Sequence, residues 1–162
     1  MVSRHGLGTV IAFTAPRFIP VLVATFAIEY VTQVILSATN FSLARQRIFS
    51  SVSGAGRHTS IRVISPFKNG KRIAKEYVFH QPDTVPWGQP LPVQCPKCFS
   101  TRSLDIMNAG LANHLQSLSY SYKCRGCREE VCQNFGDTHM ASWTLAIPVD
   151  KKRAWLEFNA PC

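Results

Sequence analysis

The sequence predicts an α+β protein: a small α/β unit of order β-α-α-β-β over residues 1–80, then a three-stranded ribbon over 93–150. Three observations carry that prediction. A short run of β-formers opens the chain at Gly8–Thr14. A hairpin signal, Asn69-Gly70, sits between two strand-like runs. Two Cys-x-x-Cys pairs punctuate further alternating runs in the second half. Composition allows such a fold. Of 162 residues 46% are hydrophobic and 17% charged, enough apolar surface for a core and too much for a disordered chain. Ten Pro and nine Gly without a period exclude collagen-like and filament readings.

Gly8–Thr14 is short, apolar and β-branched, which predicts a buried strand. Thr14 is placed to cap a helix with Pro16 in its first turn, running to about Ala38. Phe18 to Ala38 is long enough to span a bilayer, but Glu29 lies near its middle. A carboxylate there would cost roughly 2.5–3.5 kcal/mol. Thr25, Glu29, Thr32 and Gln33 form one polar stripe, opposite Ile19, Val23, Phe26, Ala27, Tyr30 and Val34. That pattern predicts a buried core helix and no membrane insertion. A second helix is expected from Ser42 to Val52, stopped by Gly54 and Gly56.

Ser60–Lys68 and Lys71–His80 flank Asn69-Gly70, the favoured two-residue hairpin turn because both residues accept positive φ. Ile61, Val63, Ser65 and Phe67 alternate on one face. Pro66 cannot donate to a ladder and belongs at an edge. Residues 81–92 hold Pro82, Pro86, Pro90 and Pro92 and read as a stiff linker, with Trp87 pinning it down. Residues 151–162 read as a tail.

The second half carries the clearest chemistry. Cys95-Pro-Lys-Cys98 and Cys124-Arg-Gly-Cys127 are separated by 25 residues. Each Cys-x-x-Cys makes a tight turn that aims two sulfurs at one point. Two such knuckles supply four thiolates, the donor set of a tetrahedral Zn²⁺. Thr101–Ile106, Leu118–Lys123 and Trp143–Ile147 supply three strands around them, and Asn108-Ala109-Gly110 a turn. The segment reads as a zinc ribbon holding one structural Zn²⁺. Four sulfurs close the site, so no position remains for a catalytic water. Disulfide pairs would want a secretory signal, and none is clear. Persistent thiols predict an intracellular protein, cytoplasmic or nuclear. Cys132 and Cys162, with His114 or His139, match no ligand spacing; Cys132 reads as a small buried residue and Cys162 as a free tail thiol.

Charge is uneven. Residues 1–75 hold ten Lys/Arg against one acid, Glu29, which accounts for the formal net charge of +9. Residues 76–162 balance, eight against eight. A basic field admits an anionic partner such as nucleic acid, though no Lys/Arg run forms a patch. Lys97, Arg102, Lys123, Arg125 and Arg128 surround the knuckles. They neutralise the thiolates or contact phosphate.

No catalytic set emerges. His58, His80 and His114 each stand alone, and no cysteine occurs before Cys95. No Gly-x-Ser-x-Gly, phosphate loop or His-Glu-x-x-His is present.

Three segments together resemble a known group. Gly8-Thr-Val-Ile-Ala-Phe-Thr-Ala-Pro-Arg-Phe-Ile-Pro20, Gly56-Arg-His-Thr59 and Trp87-Gly-Gln-Pro-Leu-Pro-Val-Gln-Cys-Pro-Lys-Cys98 are similar, in that order, to uncharacterised proteins of mushroom-forming fungi that end in a cysteine module. The resemblance covers most of residues 8–127 and implies a caspase-like α/β domain ahead of these segments in longer members. The ribbon half resembles generic zinc ribbons, which implies nucleic-acid or protein binding. The expected function is a zinc-binding, non-enzymatic module for nucleic acid or protein, with self-association through the N-terminal half. The alternative is the C-terminal remnant or regulatory end of a caspase-like hydrolase lacking its nucleophile.

Overall fold

A computed structural model describes residues 8–15, 19–66, 71–89, 91–107, 119–134 and 143–161. The class is α+β, with two antiparallel sheets. The order is β1 (Val10–Phe13), α1 (Pro20–Tyr30) continued by a π-helical turn (Val31–Leu36), α2 (Phe41–Ser51), a single turn α3 (Ser53–Gly56), β2 (Ile61–Pro66) and β3 (Arg72–His80). Then follow β4 (Leu104–Ile106), β5 (Ser119–Cys124), β6 (Glu130–Asn134), β7 (Leu145–Pro148) and β8 (Ala154–Ala160).

Five strands pair as β1-β2-β3-β8-β7 and three as β4-β5-β6. The larger sheet is therefore built from both ends of the sequence. Residues 154–160, expected as part of a tail, form the strand next to β3, with Phe79 opposite Trp155 and Val78 opposite Leu156. Residues 145–148, expected as the third ribbon strand, pair with β8 instead. The third ribbon strand is β6. The second knuckle is itself the hairpin loop, which sets Lys123 opposite Glu130 and Tyr122 opposite Val131. A chain leaving that turn meets β5 at once, ahead of any more distant strand.

Strand alternation gives the large sheet two apolar faces. Ile61, Val63, Tyr77, Phe79, Ile147 and Trp155 face the helices. There Phe49 stacks on Tyr77 at 4.3 Å and lies 5.0 Å from Trp155. Val78, Ala154, Leu156 and Phe158 face the other way, where Tyr122 of β5 and Trp87 are buried against them and Leu104 and Ile106 of β4 pack alongside. Helices, large sheet and small sheet thus stack as three layers.

Several local expectations change. Thr14 caps no helix: its N–H donates to Ser60 O and its hydroxyl accepts from Ser60 N–H, closing β1 onto β2. Helix α1 starts at Pro20, with Pro16 outside the described residues. It is not buried all round. Val23 and Phe26 face the core, while Val21, Ile28, Ile35 and Leu36 are exposed. Strand β1 is an edge strand and only half-buried, not a strand enclosed on both faces. Asn40 caps α2, accepting from Ser42 N–H at 2.8 Å. Pro66 stands opposite Arg72, whereas a two-residue turn at Asn69-Gly70 would set it opposite Ile73. That turn and Asn108-Ala109-Gly110 lie outside the described residues. Trp87 is fully buried, with φ of +52°, and its N–H donates to His80 Nδ1. Gly88 follows at φ +74°, where a Cβ would stand 2.0 Å from Val78 Cγ1. Among the described residues no helix is long and apolar enough to cross a membrane.

Candidate metal centre

The two knuckles are built alike. In the first, Phe99 N–H donates to Cys95 O and Cys95 N–H to Ser100 O. In the second, Arg128 N–H donates to Cys124 O and Cys124 N–H to Glu129 O. The residue after each pair, Phe99 or Arg128, takes left-handed φ, +58° or +60°. That conformation costs a non-glycine residue roughly 1–2 kcal/mol. It turns the chain back so that both thiols of a knuckle point the same way.

The knuckles face each other. Cys95 Sγ lies 3.7 Å from Cys127 Sγ, and Cys98 Sγ lies 3.6 Å from Cys124 Sγ. All four sulfurs fall within 4.8 Å of one another. A disulfide would require about 2.05 Å. A tetrahedral ion with metal–sulfur bonds of ~2.3 Å spaces its sulfurs about 3.8 Å apart. The two contacts between the knuckles match that edge. Cys95 and Cys124 are fully buried, Cys127 half-buried and Cys98 exposed.

Local chemistry also favours a cation. The Ser103 hydroxyl beside its sulfur, then the N–H groups of Cys127 and Gly126, hold the Cys124 thiol down to about 6. For Cys127 the Glu129 N–H favours the thiolate, but burial and the three neighbouring thiols push it up to about 12. Four thiols this close resist ionising together, and a divalent ion removes that repulsion. Ser103 is buried, with its oxygen 3.2 Å from Cys124 Sγ and 3.0 Å from Ser100 O. Sequence reasoning missed it, since a serine five residues past a knuckle carries no signature.

The flanking cations divide. Lys97 pairs with Glu129 at 2.6 Å, joining the first knuckle to the second. Arg125 pairs with Asp105 at 3.3 Å and donates to Arg102 O, tying the second knuckle to the segment that leaves the first. Lys123 stands opposite Asp105 in the β4–β5 register. Arg102 and Arg128 are exposed, both at positive φ. Cys132 is exposed, not a buried filler. His5, His114, His139 and Cys162 lie outside the described residues.

A second polar cluster was not foreseen. Glu157 on β8 is 2% exposed on the helix side of the sheet. It accepts from Arg45 at 3.1 Å, from Tyr77 at 2.8 Å and from Lys75, with Thr144 Oγ1 3.2 Å away. Its partners come from three separate stretches of sequence, so no local pattern marks it. The four cysteines cluster as a metal-binding set. No family model, curated protein or solved structure matches the chain.

Proposed function

We propose that this protein is a zinc-binding, non-enzymatic module that binds protein, with a second copy of the chain as the partner. Zn²⁺ is the ion best suited to four thiolates in a closed tetrahedron. It would act structurally, clamping two knuckles whose backbone already folds around the site.

The observation that carries the binding reading is the outer face of α1. Val21, Ala24 and Ile28 lie on one side of α1 and all are exposed. Val21 and Ile28 are 74% and 64% exposed. This face carries no charge. Exposed apolar surface of this kind marks an interface. An uncharged apolar face is complementary to itself about a two-fold axis, which suits a second copy of the chain.

Nucleic acid is the weaker reading. Arg45, Arg62, Lys75, Lys97, Arg125 and Arg153 are engaged by acids, which thins the field that a polyanion needs. The hydrolase-remnant alternative has no specific observation in its favour.

One preparation tests the proposal. Purified protein should carry one zinc per chain and be colourless, since iron in a four-sulfur site absorbs visible light. Sedimentation velocity should show a concentration-dependent dimer that Ile28→Lys abolishes while zinc content holds. Iron in place of zinc, or a monomer at all concentrations, would overturn it.

A further inference from the structure

A cleft of about 610 Å³ opens on the helix side of the large sheet, within the range of small-molecule sites. Its walls come from the α1 π-turn, the start of α2, and strands β2 and β3. Val34, Phe41 and Val63 give it an apolar wall. Arg45 and Lys75 give it two cations, and among the described residues no Asp or Glu lines it.

Those cations are held in place. Glu157 lies beneath them, 3% exposed at its side chain, and accepts from both. A guanidinium has five N–H donors and an ammonium three. Arg45 gives Glu157 one contact through Nη1, and Lys75 gives one through Nζ. Their side chains remain 26% and 35% exposed. Two cations over one carboxylate leave the group net positive. A buried carboxylate that fixes an arginine and a lysine at the floor of an apolar cleft is the arrangement that receives an anion with little reordering cost. The first turn of α2 borders the same space, and its dipole end is positive. The neighbouring π-turn supplies Val34, and such turns recur where a helix has been reshaped around a site.

We propose that this cleft binds a small amphiphilic organic acid, its carboxylate or phosphate head on Arg45 and Lys75 and its apolar body against Val34, Phe41 and Val63. This site is separate from the cysteine cluster and from the outer face of α1.

The test uses the full metal-loaded chain, ¹⁵N-labelled and followed by NMR. Three probes of equal chain length are titrated: sodium octanoate, octyl phosphate and 1-octanol. The expected result is saturable shifts at the Ser42, Ile73 and Lys75 amides with an acid, and binding of octanol at least about tenfold weaker, the worth of one charge contact. The tighter acid identifies the head group. Ser65→Asp adds a carboxylate at the cleft wall, diagonal to Lys75 across the β2–β3 pair, and should weaken the acid about tenfold. Equal binding of octanol, shifts confined to Val21 and Ile28, no saturation at millimolar probe, or indifference to Ser65→Asp would each overturn the proposal.

Discussion

Glu157 has two neutral and two charged partners, and its burial makes the set fragile. Burial alone would raise its pKa. The hydrogen bonds from Lys75 and Tyr77, with the charges of Lys75 and Arg45, outweigh burial and hold its carboxyl below the usual carboxylate range. A depressed folded-state value contributes stability above the ordinary value near 4.5 and loses it as pH falls through the depressed one. Stability should therefore hold from neutral pH down to the carboxylate range and drop below it. Glu157→Gln removes the charge under two cations and should cost about 2–3 kcal/mol, allowing for the partial exposure of Arg45 and Lys75. Its thermal midpoint should fall by roughly 5–10 °C at pH 7, and much less at pH 3. An equal loss at both pH values would show that shape, not charge, is what Glu157 supplies. The cysteines were legible in the sequence because a knuckle is local: four consecutive residues fix both sulfurs. Glu157 was not, because Arg45, Lys75, Tyr77 and Thr144 meet it only through the tertiary fold.

At the scale of elements, alternation identifies which residues share a strand face but not which strand lies alongside. Ile61 and Val63 on one face of β2 were legible for that reason. The positions of β6, β7 and β8 were not, since pairing of β3 with β8 joins residues 74 and 160. The outcome explains why residues 1–80 look incomplete. In the intact protein β3 is flanked by β2 and by β8, and Trp155, Leu156 and Phe158 cover its length. A fragment 1–80 keeps α1, α2 and three strands but exposes the β8 side of β3. It also exposes Phe49 and Phe79 where Trp155 packs, 5.0 and 5.3 Å between ring centroids. Eighty residues bury too little surface to absorb that loss. The fragment should bind a hydrophobic dye and associate, without a cooperative melt. A sharp two-state melt from a monodisperse monomer would refute this.

At the scale of the whole molecule, the metal centre and the large sheet are mechanically joined. Cys124 ends β5, and Tyr122, two residues before it, is fully buried beside Val78 and Leu156. Leu104 stands opposite Cys124 in the β4–β5 register and packs into the same cluster. The ribbon is thus a lid on the far face of the sheet, and the knuckles hold the lid's strands in register. Three short strands with few apolar side chains cannot hold that register unaided. Binding energy in a four-cysteine site is folding energy, so loss of the ion should be felt beyond the ribbon. Cys124→Ser, or a strong chelator acting on the native protein, should release the metal and lower the thermal midpoint of the entire chain, in one transition. Amide hydrogen exchange at Val78, Leu156 and Phe158, distant in sequence from the knuckles, should quicken along with that of β5 and β6. Exchange confined to β4–β6, with the β3 and β8 amides as slow as before, would mean that the large sheet is stable without its lid. Full retention of metal in Cys124→Ser would remove the fourth ligand from the assignment altogether.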